Sequence, residues 1–126
     1  MKGFIVAIAA AAAGALAASG PAQASDCFFV NQLDGWRAPD AHTIFIRAGL
    51  KNYYRLDLAA GCPALTYPDA HLITKVRGGN TYCSAVDWDL RVSDSGPGAI
   101  PSACIVSGMH KMTPAEVAAI PKKFKP

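Results

Sequence analysis

The sequence predicts a mainly β domain: a small antiparallel meander or partly open barrel of about six strands, stapled by disulfides and finished by a short C-terminal helix. Three observations carry this. From Cys27 onward, short β-branched and aromatic runs alternate with Gly, Pro, Asn and Asp, the pattern of strands punctuated by turns. Four cysteines, Cys27, Cys62, Cys83 and Cys104, are spread through that region. Thr113-Pro114-Ala115-Glu116 has the residue order of a helix capping box, with Pro at the first helical position.

The expected first strand opens at Cys27 and runs toward Leu33, with Asp34-Gly35 as a turn before Trp36. Residues 43–47 and 53–58 form the arms of a hairpin around Ala48-Gly49-Leu50-Lys51-Asn52. On the second arm Tyr54, Leu56 and Leu58 share one face, and Tyr53, Arg55 and Asp57 the other, which predicts one buried and one wet face. A fourth strand covers residues 72–76. Arg77-Gly78-Gly79-Asn80 reads as a hairpin turn returning at Thr81-Tyr82-Cys83, with a kink at Ser84-Ala85 before residues 86–92. Residues 94–101 read as a flexible Gly/Pro loop, and a last strand covers 103–107. The helix after Thr113 ends at Pro121, with Met112 and Val117 placed as a hydrophobic staple.

The ends of the chain bound the compartment. Lys2, the apolar run from Phe4 to Ala18, the breakers Ser19-Gly20-Pro21 and Ala22-Gln23-Ala24 together read as a cleavable signal peptide over residues 1–24. The apolar run is shorter than the roughly 20 residues of a stable membrane-spanning helix, so no stable membrane insertion is expected after cleavage. Residues 25–121 are then one β-rich domain and 122–126 a flexible basic tail. The net charge of +3 at pH 7 resides in the ends: Lys2, Lys122, Lys123 and Lys125. The body is close to neutral, which excludes a clustered basic surface for nucleic acid.

An even number of cysteines in a small exported chain implies disulfides. No Cys-x-x-Cys pair occurs, so zinc-knuckle and thioredoxin-type sites lack their spacing. Four cysteines allow three connectivities. In a consecutive six-strand meander, Cys27 and Cys83 fall at one end of the sheet and Cys62 and Cys104 at the other. That geometry predicts Cys27–Cys83 and Cys62–Cys104, because strand ends about 17 Å apart cannot be bridged.

Residues with chemical potential are few. Asp87 and Asp89 lie two apart and are expected on one exposed strand face beside Arg91; a calcium site would require more oxygen ligands. His42, His71 and His110 are far apart and read as independent loop or strand-edge residues. Ser84 and Ser102 lack the nucleophile-elbow context of a hydrolase. No cofactor motif is present. Trp36 and Trp88 are expected in the core, since a domain this small needs its large side chains inside. The mixed face of Tyr53, Arg55 and Asp57 is the candidate contact surface.

Taken in order, Cys27, Trp36, Thr43-Ile44-Phe45-Ile46, Tyr54-Arg55-Leu56-Asp57-Leu58, Cys62-Pro63-Ala64-Leu65, Tyr82-Cys83, Cys104-Ile105-Val106 and Met112-Thr113-Pro114-Ala115-Glu116 resemble a family of small exported bacterial proteins, mostly proteobacterial, catalogued as a domain of unknown function. A Gly-Asp pair often follows the third cysteine in that family; here Ser84-Ala85-Val86-Asp87 occupies the stretch. The resemblance implies an exported bacterial protein and transfers no activity or site residue. The expected function is a non-catalytic periplasmic or secreted binding or accessory module, with an envelope protein as its partner. The alternatives are an inhibitor or protector of an envelope enzyme and, last, a small hydrolase.

Overall fold

The computed structural model describes residues 26–94 and 99–126. The expected signal peptide and part of the expected Gly/Pro loop lie outside the described residues. Among those described, the chain is mainly β: nine strands in three antiparallel sheets, with one short α-helix. The strands are β1 (Phe28–Phe29), β2 (Leu33–Asp40), β3 (Thr43–Ala48), β4 (Asn52–Leu58), β5 (Ala70–Val76), β6 (Thr81–Tyr82), β7 (Trp88–Asp94), β8 (Ser102–Cys104) and β9 (Val106–Lys111), and the helix α1 is Pro114–Ala118.

The largest sheet has the order β2-β3-β4-β9, the second β5-β7-β8, and the third pairs β1 with β6. β3 and β4 form the expected hairpin, with Thr43 opposite Asp57 and Ala48 opposite Asn52. Gly49 takes the positive φ of 64° that its loop requires. Tyr54, Leu56 and Leu58 are buried, while Tyr53, Arg55 and Asp57 alternate on the other face. The apolar faces of all three sheets meet in one core, which includes Phe28, Ile44, Ile46, Leu56, Tyr82, Trp88, Leu90 and Val92. Tyr82 stacks on Trp88 with ring centroids 3.8 Å apart, and Phe28 packs against Tyr54, Tyr82 and Trp88. Burial raises the Tyr82 phenol above its ordinary value. Trp88 is buried as expected, and Trp36 is partly buried against the same core.

The structure corrects the single consecutive meander in three places. First, the opening strand is only Phe28–Phe29. A tight turn over Val30–Gln32 follows, held by Phe29 N–H donating to Gln32 Oε1 at 2.8 Å. Asp34-Gly35 is then strand rather than turn: β2 runs through it, and the register slips between Leu33 and Gly35 to absorb it. Such a bulge lets a turn-forming pair stay inside a ladder. Second, Arg77-Gly78-Gly79-Asn80 does turn, with Gly78 and Gly79 at φ 75° and 82°, but Thr81-Tyr82 does not pair back on β5. β5 pairs instead with β7, from Ala70 opposite Asp94 to Val76 opposite Trp88. The intervening residues loop out so that β6 pairs with β1, and Arg77 N–H donates to Asp87 O at 2.9 Å to close the excursion. Third, the last expected strand is two. β8 pairs with β7 and β9 with β4, and the chain changes sheets at Ile105, as corner strands do in packed sheets.

Both disulfides form as Cys27–Cys83 and Cys62–Cys104. The pairing matches the expectation, yet the strands responsible differ from those assumed. Cys27 precedes β1 and Cys83 follows β6, and these strands are antiparallel partners with Phe28 opposite Tyr82, so the cysteines face each other directly. Cys62 follows β4, and Cys104 ends β8 at the corner between the two larger sheets.

The helix begins as expected. Thr113 Oγ1 accepts from Glu116 N–H at 3.2 Å, and Thr113 N–H donates to Glu116 Oε1 at 3.1 Å. Met112, Ile120 and Phe45 form a second apolar cluster, joined by Tyr53, Val117 and Phe124. This cluster fastens the C-terminal segment onto the outer face of the β2-β3-β4-β9 sheet. The last five residues, expected as a free tail, follow the surface: Lys122–Phe124 make a tight turn, Phe124 joins the cluster, and Pro126 lies beside Gly35.

Replacing Cys62 and Cys104 together by alanine opens a loop spanning a sequence separation of 42. On the chain-entropy model this costs about 4 kcal/mol, a large share of the roughly 5–15 kcal/mol of a typical domain. Urea denaturation of the double variant against the native protein is expected to show that loss; an unchanged midpoint would mean that the corner is held by packing alone.

Candidate functional site

The residues nominated from the sequence as a contact surface do share one face of β4. Arg55 Nε lies 2.8 Å from Asp57 Oδ1, with both side chains partly exposed. Tyr53 turns toward the second apolar cluster, so the C-terminal segment covers that end of the face. Across the ladder, Arg55 is opposite His110, and His110 Nε2 lies 3.1 Å from Glu116 Oε2. Glu116 therefore both caps α1 and ties the helix to β9. The Thr113 N–H and then His110 hold its carboxyl below the ordinary carboxylate range.

The Asp87 and Asp89 pair is not the shared strand face expected from the sequence. Asp87 lies in the tight turn over Ala85–Asp87, ahead of β7. Its Oδ2 accepts from Cys83 N–H at 2.8 Å and Ser84 N–H at 2.9 Å. Those two bonds lower its pKa and fix the chain directly after the Cys27–Cys83 bond. Asp89 sits on β7, 4.0 Å from Arg91. The signal for the role of Asp87 was Ser84-x-x-Asp87, a capping pattern like that of Thr113-x-x-Glu116.

The three histidines fall on separate elements: His42 between β2 and β3, His71 on β5, and His110 on β9. Among the described residues no group of three or more His, Cys, Asp or Glu is placed to hold a metal ion. Ser84 lies in the turn before β7 and Ser102 opens β8; neither hydroxyl takes part in a bond to a histidine among the described residues.

A cavity of about 640 Å3 lies elsewhere. Three segments distant in sequence build it. β2 contributes Trp36, Arg37, Ala38 and Pro39; the connection after Cys62 contributes Leu65 to Pro68; and the C-terminal turn contributes Lys123 and Phe124. β2 is an edge strand, so the cleft runs along a free sheet edge. Local chemistry positions each wall. Pro63 starts the tight turn over Pro63–Thr66 and Leu65 anchors it in the core. Thr66 Oγ1 donates to Pro63 O at 2.8 Å, and Tyr67 N–H donates to Ala64 O at 3.3 Å. Tyr67 emerges from this turn half exposed. On the opposite wall, Phe124 N–H donates to Pro121 O at 2.9 Å, and Lys123 Nζ lies 4.8 Å from the Phe124 ring centroid. The cleft thus gathers three aromatic side chains and two cations, and no carboxylate lines it. A small cavity around Cys62, Cys104, Tyr67 and Asp94, about 320 Å3, adjoins the same connection.

The sequence reading missed this site. It placed Trp36 in the core, which is half correct, since one strand position serves both the core and the edge cleft. The lysines of the tail are exposed, as expected, and Lys123 nevertheless lines the cleft. The available signals were an aromatic beside a cation at Trp36-Arg37 and Lys123-Phe124, and the turn-presented Tyr67-Pro68. Nothing local brings the three together.

The model of one protein family, described as Family of unknown function (DUF6491), matches residues 1–124. The chain belongs to this family. No curated protein and no solved structure matches the chain.

Glu116 provides a pH-dependent test of how α1 is held. Its carboxyl is depressed in the folded protein, so the stability it adds is present above the ordinary value of 4.5 and is lost as the pH falls through the lower folded value. Thermal melts of Glu116→Ala and the native chain are expected to differ at neutral pH and to draw together on acidification below about that value; a gap independent of pH would show that the ionised carboxylate contributes nothing.

Proposed function

We propose that this member of the family is a non-catalytic binding module acting outside the cytoplasm, in the periplasm or after secretion, and that its ligand occupies the edge-strand cleft. The cleft carries the reading: an aromatic cavity with a few convergent polar groups, of a size suited to a small ligand. Two observations support the non-catalytic half. The cysteines are consumed in disulfides, which removes the thiol nucleophile. The lining offers no acid and no histidine, so general acid–base chemistry has no donor pair there. The location outside the cytoplasm is supported by the two disulfides and by the signal-like pattern of residues 1–24. An envelope protein as partner fits the Tyr53, Arg55 and Asp57 face less well than the cleft fits a small molecule, because the chain's own C-terminal cluster takes up Tyr53.

An isotope-labelled sample of residues 25–126 tests both halves. Screened by amide chemical shifts against a library of sugars, amino acids, nucleotides and short peptides, it is expected to respond at residues 36–39, 65–70 and 123–124. The same sample is expected to leave ester, peptide, glycoside and phosphate substrates intact. Responses confined to other surfaces would remove the cleft from the proposal, and turnover of any substrate would remove the non-catalytic reading.

A further inference from the structure

We infer that the cleft recognises an acidic saccharide: a sugar ring bearing an anionic group, with Arg37 and Lys123 reading the anion and the aromatic side chains taking the ring. The inference rests on the reading of the cleft as a binding site and gives its ligand a chemistry.

Several cations lack a carboxylate partner among the described residues, and Arg37 and Lys123 are the two of them that line the cleft. Arg47 pairs with Asp34, Arg55 with Asp57 and Arg91 with Asp89. Arg37 is exposed in the cleft with no carboxylate partner among the described residues, and its Nη1 donates only to the neighbouring Trp36 carbonyl, at 3.1 Å. Lys123 likewise has no carboxylate partner there; its ammonium lies over the Phe124 ring. The nearest acids in sequence, Asp40 and Asp69, are not among the lining residues, and Asp40 Oδ1 already accepts from His42 N–H at 2.7 Å. Two unpaired cations in one concavity form a site of positive potential. The Arg37 fork suits the paired oxygens of a carboxylate or phosphate. Neutral sugars are held largely through hydroxyls donating to acceptors, and this lining lacks the carboxylates that usually accept them.

The ring half follows from Trp36, Tyr67 and Phe124. Aromatic faces carry partial negative charge, which favours contact with the polarised C–H face of a pyranose. The volume, about 640 Å3, accommodates a ligand of one or two rings. An acidic peptide is the competing occupant, since β2 has a free edge. That edge is blunted, however. The register of β2 breaks between Arg37 and Asp40, and Pro39 within the break lacks an N–H. Bulges and prolines of this kind block strand addition, so the cleft suits a compact ring better than an extended chain.

The two indole N–H signals supply the readout: Trp36 lines the cleft, and the Trp88 indole is internal, donating to Met109 Sδ at 3.3 Å. Digalacturonate titrated into residues 25–126 at low ionic strength is expected to shift the Trp36 signal and leave that of Trp88 in place. A neutral galactose disaccharide at the same concentration is expected to shift neither. Arg37→Gln and Lys123→Gln are each expected to weaken digalacturonate binding about tenfold, as loss of a charge-assisted contact does; Arg91→Gln, on a different sheet, is expected to leave it unchanged. An unmoved Trp88 signal in each variant certifies the fold. Glucose 6-phosphate in place of digalacturonate tells a phosphate-bearing ligand from a carboxylate-bearing one, and a shift with either supports the inference. A Trp36 response to the neutral disaccharide, or equal binding of a polyglutamate peptide, overturns it while leaving the cleft a binding site. No response to any acidic sugar while other library compounds bind also overturns it. A cleft silent to the whole library removes the reading beneath it as well.

Discussion

The Cys62–Cys104 bond lies where one strand leaves a sheet and joins another. Residues 102–104 belong to the β5-β7-β8 sheet and residues 106–111 to the β2-β3-β4-β9 sheet. Between them Ile105 is exposed, and its carbonyl accepts from Ala59 N–H at 2.9 Å. A chain that changes sheets in one residue gives up ladder hydrogen bonds at the corner, where Leu58, Cys62, Cys104 and Val106 pack into the core. The disulfide holds it by closing a long loop in the unfolded chain, which costs that chain entropy. Cys62 also begins the connection whose turn carries Leu65 inward and Tyr67 outward. The same covalent link that joins the sheets therefore sets one wall of the cleft.

The second disulfide acts more locally. β1 and β6 are two residues each, far too short to stand alone. Their pairing persists because the Cys27–Cys83 bond ends the ladder, Asp87 holds the next two amides, and Phe28 and Tyr82 are driven into the core together. The excursion that carries β6 away from the β5–β7 hairpin is thus stabilised from both sides by chemistry within six residues of Cys83.

What could be read from the sequence was local in origin. The alternation in β4 is a period of two over seven residues, and the capping box of α1 is a pattern of four; each is encoded where it acts. Asp34-Gly35 misled because its turn preference is also local and is overridden by the ladder to β3, which tolerates it through a bulge. The hairpin turn at Gly78-Gly79 was legible, but the partner of the returning strand was not, since β1 lies some fifty residues earlier. The disulfide pairing came out correctly because each pair of cysteines flanks two strands that are direct antiparallel partners. Phe28 of β1 lies opposite Tyr82 of β6, and Leu58 of β4 opposite Val106 of β9, so Cys27 meets Cys83 and Cys62 meets Cys104 at like ends.

The cleft is the opposite case. Its walls come from residues 36–39, 65–68, 70 and 123–124, and each is unremarkable alone: an edge strand, a proline-led turn, a basic tail. Only the docking of Phe124 and Ile120 on the sheet brings the last wall into place, and that docking depends on Phe45 and Tyr53, which the sequence presents as one half-polar strand face each. A site assembled this way has little freedom to close around a substrate, because its walls are tied by a disulfide, a core leucine and an apolar cluster. Rigid walls spare a ligand the entropy of ordering them but cannot bring new groups to a reacting atom. This mechanical constraint supports the proposed reading of the cleft as a binding site.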